Sequence, residues 1–275
     1  MNRSILIGAL SLCLNLPVLA EGPALERTKH ALGLALATPL AVIPTLANTP
    51  GRFGAFFKTR VVIHNLTSNS YTLDAILFGP NGIVGQESIP LSANQYRSYD
   101  NFLQDVFNFR GAGAVVLAGD INSLSLDEAD LINDAPYKFS VTAEVYSDSP
   151  NGRYTTTVVN GIVPLVDSGP RAFSAGITVG QDRRVNVGVF NLGVSTIPVK
   201  AIVHDSSGFV TQTIDFSVGA LSWQQKTVSR PVDNGFIRWQ IDARGGLPFI
   251  WAVSVDNRSN DGTLTWPARP GVTLE

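Results

Sequence analysis

The sequence predicts an all-β chain of two tandem antiparallel β-sandwich domains behind a signal peptide and a short linker or helix. Three observations predict it. Apolar and polar residues alternate with period two in short segments; Gly, Pro, Asn and Ser punctuate those segments; and residues 59–86 align without gaps to residues 185–212. The composition admits such a fold. With 44% hydrophobic and 15% charged residues there is too little charge for intrinsic disorder, and one Cys excludes a disulfide-stapled scaffold. A formal net charge of -2 offers no basic excess for a nucleic-acid backbone, so no nucleic-acid partner is expected.

Taken in order, residues 1–20 hold one basic residue, Arg3, an apolar run from Ile5 to Leu16, then Pro17 and the ending Val18-Leu19-Ala20. This is the three-part pattern of a secretory signal peptide, so the expected location is secreted, periplasmic or cell surface. Cleavage after Ala20 removes the only Cys. A lipoprotein would need a small residue before Cys13, where Leu12 stands. Residues 21–39 read as a linker or short helix. The apolar stretch 31–47 contains Pro39 and Pro44 and is too short to span a bilayer, so no transmembrane anchor is expected; cleavage further downstream is the alternative it leaves open.

The first sandwich is assigned to residues 40–161 and the second to residues 162–275. An entering strand covers Leu40 to Leu46. Arg60 to Asn65, a turn at Thr67-Ser68-Asn69-Ser70 and the alternating run from Tyr71 to Phe78 read as a hairpin, and Gly79-Pro80-Asn81-Gly82 has turn chemistry, as Asp205-Ser206-Ser207-Gly208 has in the second copy. Val42-Ile43-Pro44 corresponds to Ile162-Val163-Pro164. Residues 139–155 match residues 249–265 at an offset of 110 instead of 126, which puts extra residues of the first copy in an insertion at 119–138. Ile237, Trp239 and Ile241 share a strand face, as do Phe249, Trp251, Val253 and Val255. A helical pattern shows only near residues 101–107 and in the insertion. One-sided strands must bury their apolar face against a second sheet, which a sandwich in each half achieves locally; one closed barrel is the rival.

Ile43-Pro44, Gly51 and Gly54 with Phe56, Arg60, Asn65, and Val255-Asp256-Asn257 with Gly262 together resemble bacterial secreted proteins built from tandem immunoglobulin-like or fibronectin-like sandwiches. The resemblance spans most of residues 40–269. It implies immunoglobulin-like domains and carries over no activity and no functional residue. In the first copy Tyr146-Ser147 stands where the second has Asp256-Asn257.

No catalytic, cofactor-binding or metal residue is assigned. Hydrolase, metalloprotease, Walker and dinucleotide motifs are missing from the sequence, and only His30, His64 and His204 are candidate imidazole bases. A glycosidase needs two carboxylates, for which Asp74, Asp100, Glu144, Asp215, Asp233, Asp242 and Asp256 are candidates without a distinguishing pattern. Calcium is the one cofactor option, through Asp120, Asp127, Glu128, Asp130 and Asp134 of the insertion. The turn bearing Asp256, Asn257, Asn260 and Asp261 is oxygen-rich but reads as backbone capping. All four Trp lie in the second copy: Trp239, Trp251 and Trp266 read as core, whereas Trp223, between Ser222 and Gln224, is expected to reach solvent and to offer a ligand contact. The expected function is noncatalytic extracellular interaction, adhesion or structural spacing, with an extracellular protein or glycan as partner. A carbohydrate-binding module and a carboxylate-dependent hydrolase are the alternatives.

Overall fold

A computed structural model of the protein describes residues 40–119, 139–149, 152–158, 172–193, 195–242, 246, 248–265 and 267. The expected signal peptide, the linker at 21–39, the acidic residues of the insertion, His30, the boundary near Gly161 and Trp266 lie outside these residues. The chain is all-β with antiparallel sheets. Its first eight strands are β1 (Leu40–Pro50), β2 (Phe56–Asn65), β3 (Tyr71–Gly79), β4 (Gly82–Leu91), β5 (Tyr96–Tyr99), β6 (Gly111–Gly119), β7 (Phe139–Ser149) and β8 (Gly152–Val158), with a short helix α1 (Phe102–Phe107) after β5. Eight more follow: β9 (Ala172–Val179), β10 (Arg183–Asn191), β11 (Ile197–His204), β12 (Val210–Val218), β13 (Ser222–Thr227), β14 (Val232–Ile241), β15 (Pro248–Asp256) and β16 (Gly262–Thr265).

The alternation read in the sequence fixes which way each strand faces. In β3, Leu73, Ala75 and Leu77 enter one apolar cluster while Ile76 and Phe78 enter another. Sheet 1 comprises β5-β2-β7-β8 and sheet 2 comprises β4-β3-β6-β1; Thr49 and Pro50 at the end of β1 also pair with Phe57 and Phe56 of β2, which joins the two. Sheet 3 is β13-β10-β15-β16 and sheet 4 is β12-β11-β14-β9. Strand for strand, the order within sheets 1 and 2 matches that within sheets 3 and 4. Every pairing between described strands stays within its own set of eight.

Three apolar layers hold four sheets in a stack. Val61, Ile63, Leu77, Val115 and Val141 fill the space between sheets 1 and 2, closed at one end by Phe102 and Leu103 of α1. Val187, Val199, Ile237 and Trp239 fill the space between sheets 3 and 4. The third layer joins the sets: Val42, Ile76, Phe78, Ala114 and Val116 from sheet 2 pack against Phe190, Trp223, Phe249 and Trp251 from sheet 3, with Leu192 and Leu221 beside them. Phe78 meets Phe190 with ring centroids 5.0 Å apart.

Three sequence readings are corrected. First, β2 and β3 are not a hairpin. They lie in different sheets, and the turn between them arches across the sandwich; the hairpin is β3–β4, closed by Pro80-Asn81 between paired Gly79 and Gly82. Each of β2 and β3 has a face to bury in the same layer, which two strands on opposite sides of that layer achieve. Buried Asn65 holds the arch: Nδ2 donates to the carbonyls of Asn69 and Ser92, and Oδ1 accepts the Thr67 amide. Asn191 repeats this, donating to Ser195, Val218 and Gly219 and accepting from Gly193.

Second, the register of β7 against β15 is one residue off the sequence alignment. Asn65 pairs with Phe139 and Asn191 with Pro248, so Phe139 corresponds to Pro248, not to Phe249. A one-residue slip exchanges faces, and the sequence alignment would have equated Val141, in the layer between sheets 1 and 2, with Trp251, in the layer between sheets 2 and 3. Third, the strand that takes the place of Val42-Ile43-Pro44 is β9. Val42 opposes Val116 as Phe173 opposes Arg238, while Ile162-Val163-Pro164 falls outside the described residues.

Candidate functional site

The expectation that Trp223 reaches solvent is corrected. It is 7% exposed, packed in the layer between sheets 2 and 3, and its Nε1–H donates to the Pro44 carbonyl at 2.8 Å. The β1 register shifts between Ile43 and Leu46, a bulge at Pro44-Thr45 that frees this carbonyl from the ladder and turns it toward the indole. Flanking Ser222 and Gln224 gave no warning because polarity of neighbours does not report burial here: Ser222 is buried beside Trp223, and only from Gln225 onward is the strand exposed. Trp239 is core as expected, donating to Ser174 Oγ at 3.0 Å, and Trp251 is buried across from Trp223.

Five of the seven carboxylate candidates are occupied locally. Arg60 bonds Asp100 at 3.0 Å and reaches Glu144 at 3.7 Å, and Lys200 pairs with Asp215 at 2.8 Å. Asp74 accepts from Ser88 Oγ. Asp256 accepts the amides of Arg258 and Ser259, and these hydrogen bonds hold its carboxyl below the usual range. The histidines lie apart, on the outer faces of sheets 1 and 4. His64 stacks on Tyr96 at 4.0 Å and His204 on Phe236 at 4.6 Å. His204 Nδ1 faces the Gly208 carbonyl, an acceptor, so Nδ1 carries the proton and Nε2 is left buried without a partner.

The feature missed in the sequence is a cleft of about 290 Å³ between the two sets of strands. From the first set it takes residues of the segment 45–52 with Phe57, Ala112 and Val145; from the second, Arg184 and Asn186 of β10, Gln225 and Thr227 of β13, Val253 and Val255 of β15, and Asn260. Its charged lining residues are Arg52 and Arg184, with no carboxylate among them. Arg184 is 8% exposed. Its Nη1 donates to Asn257 Oδ1 at 2.8 Å and its Nη2 to Asn260 Oδ1 at 3.0 Å. Burial lowers the guanidinium pKa, Arg52 lowers it further, and Asp256 opposes both.

The oxygen-rich turn after β15 thus receives a guanidinium. Its side-chain amides are oriented by their partners: Asn257 Nδ2 donates to the Gln181 carbonyl, and Asn260 adopts φ 63°, which Asn tolerates better than most residues. A sequence signal for this existed. Extended by one residue at its N-terminal end, the internal alignment sets Lys58 against Arg184, so both aligned positions are basic. A second depression of about 550 Å³ lies near the first arch, where Arg97 Nη1 already donates to the Pro90 carbonyl. No family model matches the chain, and no curated protein does.

Proposed function

We propose that the protein is a secreted or surface-exposed, noncatalytic pair of tandem immunoglobulin-like β-sandwich modules that acts in extracellular interaction, adhesion or structural spacing. The observation that carries this reading is the apolar layer between sheets 2 and 3. A contact of this kind, dense in aromatic side chains, joins the two modules into a stack with little freedom to hinge, as a spacer or a presenting scaffold requires. The outer faces of sheets 1 and 4 and the turns then serve for contact with an extracellular protein or glycan. The matching sheet orders and the matching Asn65 and Asn191 arches support descent from one copied module.

The test combines export and chemistry. Fractionation of cells producing the full chain is expected to yield exported protein whose N-terminus is Glu21, and the purified protein immobilised on beads is expected to bind an extracellular protein or glycan saturably. Full-length chain retained in the cytoplasm overturns the compartment. Turnover of an ester, glycoside or peptide that disappears in Asp100→Asn or Asp215→Asn overturns the noncatalytic reading.

A further inference from the structure

We infer that the cleft between the two sets of strands is a binding site for a small organic carboxylate, held by Arg52 and Arg184. The argument starts from charge. Arg184 is buried, yet no carboxylate lies within ion-pairing distance of it among the described residues, and its two hydrogen bonds go to neutral amide oxygens. A buried cation without an ionic partner is costly, and a bound anion relieves that cost. The second cation at the same cleft, Arg52, adds to the positive field instead of cancelling it.

The hydrogen-bonding capacity of the lining points the same way. Asn186 Oδ1 already accepts from the Thr227 hydroxyl at 2.8 Å and Asn260 Oδ1 from Arg184, while the NH2 group of neither amide donates a hydrogen bond among the described residues. Arg184 keeps N–H groups beyond the two it uses. Unused N–H donors beside two guanidinium charges describe a site that suits an oxyanion. Leu46, Phe57, Val145, Val253 and Val255 supply apolar wall, which favours an organic body over a bare inorganic ion, and the volume suits a ligand the size of a dicarboxylate or a single uronic acid. This goes beyond the scaffold reading and does not depend on it: loss of the site leaves adhesion or spacing untouched.

Isothermal titration of the purified protein at low salt tests it, with succinate and glucuronate as carboxylates, phosphate and sulfate as inorganic anions, and glucose as the neutral control. Saturable binding of at least one carboxylate is expected, without binding of glucose. Arg52→Gln, at an exposed position, is expected to weaken that binding about ten- to hundredfold, the usual effect of losing a charge-assisted hydrogen bond, while Arg230→Gln outside the cleft leaves it unchanged. Arg184→Gln is expected to abolish binding, and Arg52→Gln keeps the test decisive if that variant fails to fold. The proposal is overturned if no carboxylate binds, if only phosphate or sulfate binds, or if affinity is the same in Arg52→Gln as in the parent.

Discussion

Removing the Trp223 side chain separates a structural anchor from a surface aromatic. The indole is 7% exposed and packs in the layer that joins the two sets of sheets. Trp→Ala at a buried position forfeits transfer energy and leaves a cavity, together about 3–5 kcal/mol. Trp223→Phe keeps most of the ring but deletes the donor to Pro44, leaving a buried carbonyl unsatisfied at about 1–3 kcal/mol. The aromatic at the corresponding place in the first set is Tyr96, since His64 pairs with Tyr96 as Phe190 pairs with Trp223. Tyr96 is 67% exposed, so Tyr96→Ala should cost no more than about 1 kcal/mol. Urea denaturation followed by far-UV circular dichroism reads all three variants without relying on the fluorescence being altered. The order expected is Trp223→Ala, then Trp223→Phe, then Tyr96→Ala. If both Trp223 variants stay within about 0.5 kcal/mol of the parent, the indole is not an anchor and the stacked arrangement is wrong.

Asn191→Ala should cost about 2 kcal/mol or more in the same denaturation assay, because several backbone groups of the second arch lose their partner, and Asn65→Ala should behave alike; a neutral result for either removes the arch from the fold's determinants. Gly188 lies under the Trp251 indole, where a Cβ has no room, so Gly188→Ala should destabilise by about 1–3 kcal/mol through overpacking, measured as a lowered urea midpoint. Asp256 has a folded pKa below its unfolded value of about 3.9, so its contribution is full above that value and is lost as pH falls through the lower folded one. Stability measured from pH 5 downward should therefore fall less steeply in Asp256→Asn than in the parent; identical slopes would remove the capping hydrogen bonds as the cause. Asp215→Asn breaks an exposed pair with Lys200 and should shift stability by less than about 1 kcal/mol.

What the sequence disclosed, it disclosed through local chemistry. The faces of β3 and β14, the Pro80-Asn81 turn and the helix near residues 101–107 follow from alternation and turn residues alone. The hairpin reading of β2 and β3 failed because a turn's residues say that the chain reverses, not whether the returning strand lies beside its predecessor or across a core from it. The β15 register failed for a related reason. Phe249, Trp251 and Val253 present an apolar set as convincing as the inward-facing Ile250 and Ala252, because both faces of sheet 3 are covered. The basic character at Arg184 was legible but its role was not, since that role is non-local: an Arg on a strand is ordinary, and only burial beside two amides from a turn 73 and 76 residues away makes it a site.

The placement of Trp223 and Trp251 has the same origin. In the copied-module reading, Phe78 and Ile76 correspond to His204 and Ile202, while His64 and Tyr96 correspond to Phe190 and Trp223. Sheet 2 and sheet 3 turn their outer faces toward each other, and there the residues are Phe, Ile, Val and Trp. On the outer faces of sheets 1 and 4 the corresponding places hold His64, exposed Tyr96, and His204 with Ile202, both largely buried, with the exposed Lys200–Asp215 pair nearby. Two identical modules could not stack this way without leaving one apolar face bare, and a bare aromatic sheet face invites aggregation. In the copied-module reading, one set apolar on sheet 2 and the other on sheet 3 cover both faces within a single chain. Trp223 and Trp251 lie in the second set of strands because its half of the contact is on sheet 3, where Gly188 opens the space that Trp251 fills.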